Sequence, residues 1–126
     1  MYHSLYDYLS KAAIYLMLTL ACSFVYAGKA DVIKGKITPL QGNSYRIDVT
    51  VKHADAGWDH YANEWQVLDE DGRVLGTRIL HHPHVNEQPF TRSLTISIPQ
   101  NVKSVRIRAQ DSVHGYGGKS ISLQVP

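Results

Sequence analysis

The sequence predicts an all-β domain, an immunoglobulin- or fibronectin-III-like antiparallel sandwich of about seven strands. Three observations predict it. Apolar residues recur at every second position in run after run beyond the first thirty residues. Turn-forming residues separate those runs at roughly 8–12-residue spacing. No later stretch carries the 3.6-residue apolar period of a helix. A small β-barrel satisfies the same pattern and stands as the alternative.

Taken in order, Ile33 to Thr38 forms a first short strand, ended by Pro39 and the turn Leu40-Gln41-Gly42-Asn43. Ser44 to His53 alternates cleanly, with Tyr45, Ile47, Val49 and Val51 on one face and Arg46, Asp48, Thr50 and Lys52 on the other. Side chains two apart on a strand share a face, so the first set is the core set. Ala62 to Leu68 carries Trp65 and Val67. A Trp at this point suits an immunoglobulin-like core, although any buried strand can hold one. Asp69-Glu70-Asp71-Gly72 is a hairpin turn joining that strand to Arg73–Leu80, since Asp and Gly accept turn backbone that β-branched residues resist. Thr91–Ile98, Val102–Gln110 and Lys119–Val125 complete the set.

The first twenty-seven residues read differently. Lys11 precedes an almost wholly apolar run from Ala12 to Ala27, closed by Val25-Tyr26-Ala27. A basic flank, a short apolar stretch and a small residue at the cut describe a secretory signal. The run is short for a spanning helix, which needs about 20 apolar residues. Cleavage after Ala27 is expected, with Ala30 as second choice, leaving 28–126 as one domain without stable membrane insertion. Cys22 admits a lipidated leader, though Thr19 and Leu20 fit that signal poorly. The expected location is periplasmic or secreted.

The only cysteine and both methionines lie in this leader. The remaining domain therefore has no disulfide, no catalytic thiol and no sulfur ligand. The formal net charge is +2, and the basic residues are scattered, so no stripe points to nucleic acid.

If consecutive strands run antiparallel, the connections alternate between the two ends of the sandwich. Pro39–Asn43, Asp69–Gly72 and Pro99–Asn101 fall at one end and are short. His53–Tyr61, His81–Phe90 and Asp111–Gly118 fall at the other. They hold His53, His60, His81, His82, His84 and His114, with Asp55, Asp59, Glu87, Asp111, Trp58, Tyr61, Phe90 and Tyr116. Loops clustered on a rigid sandwich are a frequent place for binding sites.

Imidazoles and carboxylates together suit Zn(II) or Cu(II). In His82-Pro83-His84, proline holds the preceding residue extended, so both rings can face one ion. The expected metal ligands are His82, His84, His114 and His60. His53, Asp59, Glu87 and Asp111 are the supporting or alternative ligands. The plainer reading is a polar network that stills long loops. In it His53 is a satisfied core histidine, and Asp59 or Asp111 pairs with Arg92 or accepts loop N–H groups. Trp58, Tyr61, Tyr116 and Arg92 are candidates for recognising an envelope protein or glycan, or else a lid over the core. Gly115-Tyr116-Gly117-Gly118 provides a tight bend or room for close approach. No catalytic constellation emerges: Asp111, Ser112 and His114 are adjacent in sequence, which is not triad geometry, and no G-x-S-x-G elbow occurs. The expectation is a binding module, not an enzyme.

Three segments carry a resemblance: Gly57-Trp58-Asp59-His60-Tyr61-Ala62, Leu80-His81-His82-Pro83-His84 through Glu87-Gln88-Pro89-Phe90-Thr91-Arg92-Ser93, and Asp111-Ser112-Val113-His114-Gly115-Tyr116-Gly117-Gly118. In these the chain resembles a group of small exported proteobacterial proteins with no established activity. The resemblance implies an exported β-domain and nothing more.

Overall fold

Alternation becomes burial as expected. In the computed structural model, which describes residues 28–126, Ile47, Val49 and Val51 of one strand are fully buried, as are Trp65 and Val67 of another. The expected leader and its cut lie outside the described residues. Eight strands follow one another: β1 (Asp31–Pro39), β2 (Ser44–Lys52), β3 (Ala62–Leu68), β4 (Val74–Ile79), β5 (Phe90–Ser97), β6 (Ser104–Asp111), β7 (Gly115–Tyr116) and β8 (Ile121–Gln124).

They form two antiparallel sheets that are not closed into a barrel. One has the order β1-β2-β5; the other has the order β4-β3-β6, with β7 and β8 both paired to β6. The added strand β7 has only two residues, pairing Gln110 with Tyr116 and Asp111 with Gly115. It precedes β8 along the same edge of β6, where Val105 faces Leu123. An interrupted edge strand replaces the single expected one, so the alternation of ends survives the extra element.

The inner faces meet in one core. Ile47, Val49 and Val51 oppose Trp65, Val67, Val105, Ile107 and Ala109, with Phe90 and Ile98 completing it. Burying each such side chain stabilises by about 1.5–3 kcal/mol. The sheets touch along both flanks. On one, Gly76 of β4 approaches β5 so closely that a Cβ there would meet Ile96 and Leu94. On the other, Val32 N–H donates to the Lys119 carbonyl at 2.8 Å, beside β8.

The two ends separate as the strand order requires. At the plain end, Asp69 Oδ1 accepts the N–H groups of Asp71 and Arg73 at 2.9 and 2.8 Å, and Gly72 turns with φ +83°. Glu70 reaches across to accept the N–H groups of Lys103 and Ser104 at 3.0 and 2.9 Å. At the opposite end the connections from β2 to β3, β4 to β5 and β6 to β7 come together.

Candidate metal centre

The histidine end is built outward from one buried carboxylate. Asp55 follows β2 by three residues and is 7% exposed. Its Oδ1 accepts from Ala62 N–H at 2.9 Å and lies 2.6 Å from His53 Nδ1; its Oδ2 accepts from His84 N–H at 2.7 Å. One side chain therefore holds its own loop, the start of β3 and the β4–β5 connection. It also fixes the His53 tautomer. An ionised carboxylate only accepts, so His53 Nδ1 carries the proton, and in the neutral ring Nε2 keeps its lone pair.

That lone pair points into a cluster. His53 Nε2 lies 3.2 Å from His60 Nε2 and 2.9 Å from the Gly28 carbonyl oxygen. His60 Nε2 lies 2.7 Å from Asp111 Oδ2. The same Oδ2 faces His114 Nδ1 at 2.8 Å and accepts the N–H groups of Val113 and His114. Asp111 Oδ1 is buried with no partner among the described residues. Burial raises the Asp111 carboxyl pKa, but hydrogen bonds from His114 N–H and ring, the His60 ring and Val113 N–H outweigh it, and the net shift is downward. Asp111 is thus held as an anion at the sandwich end.

With both rings neutral, no placement of protons satisfies these contacts. The His53 proton is committed to Asp55. His60 can offer one Nε2–H, to Asp111 or to His53, and the Gly28 carbonyl receives none. A bound metal ion would resolve the conflict. The donor set suits an ion: one ligand atom each from His53, His60 and Asp111 lie within 4.8 Å of one another. Ligands about 2.0–2.1 Å from a tetrahedral ion are about 3.3 Å apart, close to the 3.2 Å between the two Nε2 atoms. Asp55 behind His53 supplies the carboxylate that commonly orients a ligating imidazole.

The other sequence candidates fall around this group. His84 is buried and stacked on Phe90, with ring centroids 4.0 Å apart. Neither of its ring nitrogens has a hydrogen-bond partner among the described residues, and Nδ1 is 4.0 Å from Asp55 Oδ2. His82 is exposed, its ring centroid 4.6 Å from that of His84 and its Nδ1 3.1 Å from the Pro83 carbonyl. Asp59 is exposed. Glu87 forms a two-point pair with Arg92 at 3.0 and 3.2 Å, which lowers its carboxyl pKa. Trp58 is 67% exposed and sets its edge against Tyr61, centroids 5.7 Å apart. Tyr116 lies away from the cluster, beneath the Arg108 guanidinium, and its hydroxyl donates to Glu64 at 2.7 Å.

Sequence reading left Asp55 and Gly28 out of the site. Asp55 had a signal: it lies two residues beyond His53, whose side chain continues the inward face of β2. Gly28 had none, because a main-chain carbonyl is invisible in side-chain chemistry.

The fold and cluster define a class, an all-β sandwich whose loop end carries a His/Asp group able to hold a metal ion. No family model matches the chain. It is 40% identical over 93 residues to a protein named "Putative lipoprotein" from Halomicrobium mukohataei, a match covering 74% of this chain and 46% of that protein. The chain thus spans about half the length of the relative it matches. Among solved structures, the superoxide reductase (1Fe-SOR) from Giardia intestinalis aligns with 75% of this chain and 99% of its own, at 16% identity and a TM-score of 0.45. A likeness that loose carries no argument.

Proposed function

We propose that this domain is an exported cell-envelope module that binds a divalent transition metal, Zn(II) or Cu(II), at the loop end of the sandwich. His53 Nε2, His60 Nε2 and Asp111 are the ligands, His114 stands beside Asp111 as a further donor, and Asp55 orients His53. The observation that carries this reading is the meeting, within 2.7–3.2 Å, of two imidazole nitrogens, a carboxylate and a carbonyl oxygen at one point. The name of the relative supports an envelope location, reached through a signal ending at Ala27. His82 and His84 are a second candidate pair on the same end. The module binds its ion as carrier, sensor or brace, without catalysis.

Metal content by mass spectrometry on untagged exported protein, followed by Zn(II) and Cu(II) titration, tests the reading. One ion per chain is expected, with submicromolar affinity (tighter than about −8 kcal/mol). Loss in His53→Ala/His60→Ala with retention in His82→Ala/His84→Ala assigns the ligands; the reverse pattern assigns the ion to the second pair.

The rival reading is a metal-free surface for an envelope protein or glycan, with the histidines as loop architecture. The exposed Trp58 ring held by Tyr61 favours it. Under this reading Trp58→Ala abolishes partner binding and chelators change nothing. A stoichiometric ion whose removal loosens the loops sinks it.

A further inference from the structure

The segment before β1 is closely seated on the sandwich. Ala30 is fully buried. A Cβ at Gly118 would overlap the Ala30 carbonyl oxygen, so only glycine lets the two backbones pass. Lys119 N–H donates to Asp31 Oδ1 at 2.7 Å, and its carbonyl accepts from Val32 N–H. The Gly117-Gly118 pair is thereby explained: it is a groove for residues 29–32. The seated segment delivers the exposed Gly28 to the cluster, its carbonyl oxygen 2.9 Å from His53 Nε2.

Gly28 is also the residue that the expected cut after Ala27 would leave first. Signal peptidase would hydrolyse the Ala27–Gly28 peptide bond with one water, the leader keeping the new carboxylate and Gly28 the new amino group. An amine and the carbonyl of the same residue close a five-membered ring around an ion. The amine loses its proton on ligation and supplies a third nitrogen to a set that otherwise has two imidazoles and a carboxylate.

We infer that maturation completes the metal centre: the α-amino group of Gly28, released by export, binds the ion together with the Gly28 carbonyl. The inference rests on the metal-binding reading above and adds a ligand that exists only after cleavage. An uncut chain in the cytoplasm would then hold the ion weakly, and tight loading would await export.

The test uses the full chain, exported and purified without a tag. Intact mass reads the cut; a first residue other than Gly28 overturns the inference. The comparison protein carries Ser-Glu inserted between Ala27 and Gly28, leaving the leader intact, so that the mature chain starts two residues earlier. Zn(II) and Cu(II) affinities are measured on both, with far-ultraviolet circular dichroism to show that the fold is unchanged. Since loss of a mere outer-shell partner weakens metal sites about 10–100-fold, the extended protein should bind at least about tenfold more weakly. Equal affinities overturn the inference and leave the His53/His60/Asp111 site standing. No ion in either protein sinks both readings together.

Discussion

At the end carrying the Asp69–Gly72 turn, carboxylates bind backbone: Asp69 takes two N–H groups of its own turn, and Glu70 takes two from the chain entering β6. At the opposite end the two central carboxylates bind backbone too, but each also holds imidazoles, Asp55 one and Asp111 two. The difference is burial. Glu70 is exposed, so water meets whatever it leaves unmet. Asp55 and Asp111 are 7% and 1% exposed, and each lone pair there needs a partner from the protein or a bound cation. The same residue type therefore makes a dispensable cap at one end and an obligatory network at the other.

The largest way to break this contrast is at Asp111. Asp111→Ala should weaken Zn(II) affinity at least about 100-fold, since it removes a ligand and frees His60 and His114 at once; isothermal titration measures it. Glu70→Gln should leave that affinity unchanged. If both variants bind equally well, the two ends do not differ in function.

Next comes Asp55→Asn. An amide cannot accept on both atoms, so its NH2 must face either the His84 N–H or the Ala62 N–H and His53 side, and the charge behind His53 is lost in either case. Unfolding by denaturant should show a loss on the order of 3 kcal/mol, together with a weaker ion site. A loss below about 1 kcal/mol would mean the loops are held by something other than this carboxylate.

His84 sharpens the comparison through pH. Burial first, then the charges of Arg92 and His82, lower its pKa below the ordinary histidine value. The unfolded chain therefore takes up a proton that the folded chain resists. The stability this group contributes is complete above the unfolded value near 6.5 and falls as pH drops below it, by up to about 1.4 kcal/mol per pH unit. In chelator-treated protein the denaturation midpoint should fall between pH 7 and 5, and His84→Leu should flatten that fall. An unchanged slope would show that His84 protonates freely in the fold.

The smallest effect belongs to Glu70. Hydrogen bonds from Ser104 and Lys103 lower its pKa, so its contribution holds above the ordinary carboxylate range and disappears as pH falls through the folded value. Glu70→Gln should lower the melting temperature slightly at pH 7, and by progressively less as pH falls below the ordinary carboxylate range, as melting curves across pH would show.

The fold was legible because alternation is a local code: Ile47, Val49 and Val51 announce a buried face without reference to any partner. So was the separation of ends, since it needs only the strand count and antiparallel order. The interrupted edge strand was not, because β7 pairs through two residues, Gly115 and Tyr116, that carry no alternation. Within the site, His60 and Asp111 could be nominated from their loops, but their meeting with His53 could not. That contact joins the chain leaving β2 in one sheet to the loop and strand end of the other, and only the packing of the sheets fixes its 3.2 Å. Asp55 was visible as a loop aspartate, whereas its role depends on three partners spread from residue 53 to residue 84.

The His53–His60 contact has a consequence for chemical durability. It packs two ring nitrogens together inside the β2–β3 connection, in a loop region of the kind that many small exported domains brace with a disulfide. Residues 28–126 contain no cysteine and no methionine, so reductants have no bridge to open and peroxides have no thiol or thioether to oxidise. A clasp of this kind keeps its grip whether its surroundings are oxidising or reducing, and a redox-active ion could sit in it without sulfur nearby to damage.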